Sequence, residues 1–274
     1  MTADLQQFLD GVPDALLDAA LAGRGDGVKV ALIDSGVDVA HPGLTVRPAR
    51  SVEVRVGPQG AVVVDGPGAD VAGHGTACAD VIGRLAPGCT LWNVRALGPD
   101  CKGSPAALLA ALRWALEHGA DIVNLSLGTR DAHLAEPLRE LIDLAYRRSI
   151  LMVAAASNIP GARAYPAAFA SLVCVDAGYF ASAEDFVFRV GGEAEVEAPG
   201  VYVDAAWPGG GRKLVTGTSF ATPHVTGHLA RVRSVSPGLT PFQIKTVLCA
   251  LGRRNAARLA AAAAATDAAA GGAS

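Results

Sequence analysis

Four residues of this chain stand where their types could carry out acyl transfer. Asp34 closes an apolar run in VALIDSGVDVAHPGL (30–44), and His74 sits between glycines in GHGTACADVIG (73–83). Asn158 follows an apolar run in ILMVAAASNIPG (150–161), and Ser219 lies in TGTSFATPHVTG (216–227). A carboxylate at a strand end can accept from a histidine Nδ1 and hold its tautomer, while small neighbours let reacting groups approach a histidine ring. A serine at a helix start sits where the dipole favours developing negative charge, and a side-chain amide can donate to an oxyanion. Seen alone, each has a plainer use. Asp34 and Asn158 suit turns, as Asp38 does; His74 suits a Gly-rich surface turn, and Ser219 an N-cap. With 18 Asp, 6 His and 12 Ser in the chain, residue counts select nothing, so the surrounding segments must decide.

These side chains need rigid elements beneath them, and the sequence supplies an alternation of short apolar runs with helical patterns. Residues 28–33, 91–97, 121–127, 150–155 and 172–175 read as buried strands, and 105–118 and 134–148 as helices. In the first helix Ser104 takes the N-cap, Pro105 takes N1, Leu108, Leu112, Ala115 and Leu116 share one face, and Gly119 is the stop. The alternation predicts an α/β fold with a mostly parallel central sheet, helices on both faces, and an active site at the strand carboxyl ends. Residues 1–27 are expected to form a helical N-terminal segment and 28–255 the catalytic domain. Residues 256–274, rich in Ala and Gly, read as a fraying helix that runs into disorder.

Composition narrows the class. At 51% hydrophobic and 18% charged residues, the chain cannot be mainly disordered. A net charge of -3 without a basic patch predicts no nucleic-acid partner, and no apolar run approaches the length of a membrane span, so no membrane partner is expected. The five cysteines have neither CxxC nor zinc spacing and are expected to be reduced thiols. Together with an acidic start, four Asp and no Lys or Arg in the first 23 residues, they place the protein in the cytoplasm. His224 and His228 stand at i, i+4, but Val225 occupies the glutamate position of HExxH, so both read as structural.

The segments around Asp34, His74 and Ser219, in that chain order, resemble the subtilisin-like serine proteases over about residues 28–250. The resemblance implies a subtilisin-like fold and a serine endopeptidase that works through an acyl-enzyme. Asp34 would orient His74, His74 would act as general base and then acid, and Ser219 would be the nucleophile. Asn158 and the Ser219 backbone N–H would be the oxyanion donors. Gly103 in DCKGS, with Ser126, Leu127 and Gly128 in NLSLG, would form two edges between which a peptide or precursor-protein substrate adds as a strand. A transpeptidase or macrocyclase on the same triad, or an inactive subtilisin-like binding module, stays open beside the protease.

Departures from the family carry expectations of their own. RLAPG follows the His74 segment where relatives have an Asn-rich calcium loop, so neither metal nor other cofactor is expected. Ala77, Thr129 and Ser157 replace the family's usual residues, and Arg163 and Ala164 lie in a short loop by the primary pocket, which predicts narrowed specificity. Only 33 residues precede Asp34, too few for the folding prodomain of secreted relatives, so limited processing of an intracellular peptide or precursor is expected. Cys78, four residues after His74, shares its helix face; mercurial inhibition that Cys78→Ser abolishes is expected, with a buried inert thiol as the plainer alternative. Leu5, Phe8, Leu9, Val12 and Leu16 could pack over the cleft or onto the core.

Overall fold

Asp34 ends the strand at the middle of the protein. In the computed structural model, which describes residues 11–271, β1 (Lys29–Asp34) is buried at every position after Lys29. A strand covered on both faces reads as a continuous apolar run, which is why VALI was legible. Val30 and Leu32 point into one core and Ala31 and Ile33 into the other. The remaining strands of the sheet are β2 (Arg50–Gly57), β3 (Gly60–Asp65), β4 (Thr90–Arg95), β5 (Ile122–Leu125), β6 (Leu151–Ala155), β7 (Val173–Gly178), β8 (Val187–Phe188) and β9 (Val196–Pro199). Their order is β3-β2-β4-β1-β5-β6-β7-β9-β8, parallel except for the β2–β3 and β8–β9 pairs. A separate hairpin joins β10 (Val203–Trp207) to β11 (Gly211–Val215).

Helices cover both faces, as the alternation predicted. One core is built with α1 (Asp14–Ala22), α2 (His74–Leu85), α5 (Thr218–Val235) and α6 (Pro241–Gly271); the other with α3 (Pro105–Glu117) and α4 (Ala135–Arg147). The predicted cap of α3 is present, with Ser104 Oγ accepting from the Ala107 N–H at 3.1 Å and Gly119 leaving the helix at φ +75°. Five of the strands match the sequence reading to within three residues at each end. The β2–β3 hairpin was unread, although Val52, Val54 and Val56 alternate with Glu53 and Arg55 there, because only continuous apolar runs were counted as strands. Strands β8 to β11 take two to five residues each, too few for a period to declare itself.

Helices α1 and α6 pack on the same side. In α1, Leu17 and Ala20 are buried, and Val12 and Leu16 lie against the core; Leu5, Phe8 and Leu9 are outside the described residues. Beyond Ala256 the helix α6 continues to Gly271, in keeping with alanine's high helix propensity, and it is tied down by ion pairs from Arg254 to Asp18 and from Arg258 to Asp185. Between α2 and β4 the chain uses only residues 86–89. Among the described residues no helix is long and apolar enough to cross a membrane.

His224 and His228 sit inside α5 with almost no solvent contact, His224 donating from Nδ1 to the Phe220 carbonyl at 2.9 Å and His228 lying 4.7 Å from the Phe186 ring. Burial pushes both imidazoles down to about 3. Unfolding lets them bind protons near their ordinary 6.5, so the unfolded state gains protons as pH falls from 6.5 towards 3, and stability falls with it. Each histidine adds a slope of about 1.4 kcal/mol per pH unit in that window. His228→Leu is expected to flatten the fall of unfolding free energy between pH 6 and 4 in urea melts; an unchanged slope would refute the contribution.

Candidate active site

The site is organised at the carboxyl edge of the sheet. Asp34 is the last residue of β1 and is completely buried, with Oδ1 accepting from the Ser35 N–H at 2.7 Å and from His74 Nδ1 at 2.8 Å. His74 is the first residue of α2, and that helix can approach β1 only because position 75 has no side chain. A Cβ on Gly75 would lie 2.1 Å from the Gly36 carbonyl oxygen. Burial, the largest single influence, works against a charged His74 ring, but the Asp34 carboxylate, with a further contribution from Cys78, outweighs it and holds the imidazole well above its ordinary 6.5.

One residue that the sequence reading passed over sets this geometry. Asp70 Oδ1 accepts from the Ser35 hydroxyl at 2.8 Å, the Ala72 N–H at 3.0 Å and the Gly73 N–H at 2.7 Å. Its Oδ2 accepts from the Thr76 N–H at 2.9 Å and from the Thr76 hydroxyl. Asp70 thus satisfies free N–H groups at the start of α2 and ties them to Ser35, the neighbour of Asp34. A helix-capping search back from GHGT would have found it. Asp38 has the plain turn role through Oδ1, which accepts from the Ala40 N–H at 3.2 Å, and its Oδ2 accepts from the distant Gly209 N–H at 3.1 Å, tying that turn to the β10–β11 hairpin.

Ser219 is the second residue of α5, and the cap position belongs to Gly217 at φ +153°, so its hydroxyl is not used as an N-cap. A Cβ on Gly217 would stand 3.4 Å from Ser219 Oγ and 3.6 Å from Asn158 Oδ1, which places both groups around one small space. Pro223 has no N–H to give to the Ser219 carbonyl four residues back, and the Cys78 thiol points at that carbonyl from 3.6 Å. Cys78 is completely buried, and burial pushes its thiol up although His74 pulls the other way. It stands as a buried donor to that carbonyl. Phe220 lays its ring 4.8 Å from His74, a contact the sequence did not signal.

Asn158 follows β6 and is exposed. Its Oδ1 accepts from the Thr218 N–H at 3.0 Å and the Thr218 hydroxyl at 3.2 Å, which leaves the Nδ2 donors for an outside acceptor. Two cavities meet along Ser126, Leu127 and Gly128. One, of about 290 Å³, is also lined by His74 and Gly103; the other, of about 310 Å³, by Asn158, Thr218 and Ser219. All eight residues singled out from the sequence therefore border one continuous cleft or, for Asp34, support it from beneath. Thr129 and Tyr165 exchange two backbone hydrogen bonds of 2.8 Å beside the second cavity, and Ala164 lines it. Among the described residues, the cluster with metal-ligand chemistry is Asp34, His74 and Cys78, whose ligand atoms lie within 4.8 Å of one another. Its histidine Nδ1 is already engaged by Asp34 and its sulfur is a buried thiol, so the donors are turned on each other.

Residues 25–261 match the peptidase S8 model of the subtilase family. The chain is 32% identical over 239 residues to subtilisin DY of Bacillus licheniformis, covering 82% of this chain and 83% of that protein. It is 34% identical over 227 residues to subtilisin Savinase of Lederbergia lenta, covering 82% of each. Among solved structures, a cold adapted subtilisin-like serine proteinase matches with a TM-score of 0.67 at 28% identity, covering 83% of this chain and 82% of that one. Sphericase matches with a TM-score of 0.68 at 27% identity, covering 82% of each. A protein or peptide is thus the substrate class, and this chain belongs to the subtilase family, peptidase family S8, as a subtilisin-like serine endopeptidase.

Proposed function

We propose that Asp34, His74 and Ser219 are the catalytic triad, with Asn158 Nδ2 and the Ser219 backbone N–H as oxyanion donors, in an endopeptidase that makes limited cuts in a peptide or precursor protein of the cytoplasm. The observation that carries the triad is the 2.8 Å hydrogen bond from His74 Nδ1 to the buried Asp34 carboxylate. It directs the His74 proton to Asp34 and leaves Nε2 as the basic end of the ring. As Ser219 Oγ attacks the scissile carbonyl, Nε2 takes its proton, and the imidazolium that forms is stabilised by ionised Asp34. The carbonyl oxygen becomes an oxyanion at the start of α5, where Asn158 and the Ser219 N–H donate to it. His74 then gives its proton to the leaving amine. Water attacks the acyl-enzyme with His74 again as base, which restores Ser219.

Limited cutting is supported by the paired Thr129 and Tyr165, whose backbone hydrogen bonds fix the chain beside the Ser219 cavity. A wall held in one shape rejects side chains that do not fit it. The cytoplasmic assignment rests on five free cysteines, four of them buried.

A fluorophosphonate is expected to label Ser219 alone in the folded protein and to fail on Ser219→Ala, read by peptide mapping; a label elsewhere would end the assignment. His74 must be neutral to act as base, and its imidazole is held above the ordinary 6.5, so kcat/KM is expected to rise with pH through a limb lying above 6.5. Asp34→Asn should lower kcat by about 10⁴ and move that limb to lower pH. A limb that stays in place would separate Asp34 from His74 titration. Digestion of denatured casein should yield few, related cut sites by mass spectrometry, and cleavage at many unrelated sites would exclude limited processing.

A further inference from the structure

We propose that this enzyme takes acidic peptides, with an Asp or Glu side chain beside Arg130 as the residue that acylates Ser219 and a second carboxylate near Lys102. The inference rests on Ser219 as the nucleophile and adds the substrate class. Of the two cavities along Ser126–Gly128, one has Lys102 as its charged lining residue apart from the His74 ring, and the other has Arg130; no Asp or Glu lines either. That bias runs against the chain's net charge of -3. Arg130 makes no ion pair among the described residues. Its neighbour Asp131 uses Oδ1 on the His133 N–H at 3.0 Å. Lys102 Nζ lies 3.6 Å from Asp100 Oδ2, but these side chains are 83% and 62% exposed, so solvent screens the pair and leaves the ammonium able to meet another anion. By contrast, a third cavity, behind Ala164, is lined by Arg163, Asp176 and Glu193, carries both signs, and does not border Ser219.

An extended peptide laid between Gly103 and Ser126–Gly128 sends successive side chains to opposite faces, and the Ser219 cavity receives the residue whose carbonyl is attacked. Small groups line that cavity: Ala155, Ala156, Ala164 and Gly128. The methylenes of a Glu can lie against the alanines while its carboxylate meets the guanidinium, whereas a Lys would bring like charge to Arg130. In the His74 cavity Leu97, Leu108, Leu127 and Leu134 make an apolar interior for an upstream side chain, with Lys102 beside it.

The test uses chromogenic peptides that differ only at the residue before the scissile bond: Glu, Gln or Lys. An exposed pair changes kcat/KM by up to about fivefold, so attraction for Glu and repulsion of Lys together should favour Glu over Lys by about tenfold at low salt, with Gln between them. The gap should close in 1 M NaCl, where the Debye length is about 3 Å. Arg130→Glu is expected to reverse the order and Arg130→Gln to flatten it. A wild-type enzyme that cleaves Lys as well as Glu, or an order untouched by Arg130→Glu, overturns the inference. Fluorophosphonate labelling of the same preparations separates the two failures. Labelled protein without a Glu preference overturns the acidic substrate alone, while folded protein without label on Ser219 overturns the nucleophile and this inference with it.

Discussion

A carboxylate cut off from solvent at the end of the central strand is the constraint around which the cleft is built. A buried ion is tolerated only with partners, and Asp34 has two for Oδ1, the Ser35 N–H and His74 Nδ1, while Oδ2 has no protein partner among the described residues. Removing either partner would leave the charge less compensated, so the position of His74 is a condition of folding as well as of chemistry. The demand spreads outward. Helix α2 must start within contact of β1, which the absence of a side chain at Gly75 permits and the Asp70 hydrogen bonds enforce. Ser35 Oγ closes the circuit by accepting from the Gly75 N–H at 3.0 Å.

Helix α5 meets this arrangement from the other side. At its start Gly217 holds the cap position and offers no side-chain cap, while Asn158 Oδ1 takes the Thr218 N–H. Pro223 removes the donor for the Ser219 carbonyl, and Cys78, a residue of the helix that carries His74, offers its thiol there. The two helices are thereby coupled at the level of single polar groups. The Phe220 ring against His74 adds an apolar contact at the same junction. A change in how α2 packs on α5 would therefore be felt at both His74 and Ser219, by the mutual dependence of contacts that a close-packed interior imposes.

The groove edges grow out of regular elements of the fold. Ser126–Gly128 continues from β5 and passes from buried Ser126 to exposed Gly128, and exposed Gly103 precedes the cap of α3, so both edges of the groove are anchored by regular elements. A strand donor can add there without disturbing the core. The charges of the groove, Lys102 and Arg130, lie on these same anchored edges, whereas the Asp34–His74 pair is held beneath them.

Local order was legible in the sequence because it depends on short-range physics. The N-cap at Ser104, Pro105 at N1 and the stop at Gly119 follow from backbone hydrogen bonding and φ preferences within a few residues, and the continuous apolar run ending at Asp34 follows from burial on both faces. The motif segments likewise marked Asp34, His74, Asn158 and Ser219 as a set. Tertiary structure alone decided the rest. Asp34 and His74 are 40 residues apart, and Asn158 and Thr218 are 60 apart, so no local propensity encodes their hydrogen bonds. The bond from the Ser35 hydroxyl to Asp70 spans 35 residues and exists only with α2 placed against β1, and Cys78 became a donor to Ser219 only once α2 and α5 were packed together. The cationic lining of the groove was equally hidden, because a net charge of -3 averages over the whole surface, whereas a cleft selects by the few side chains that folding brings to its walls.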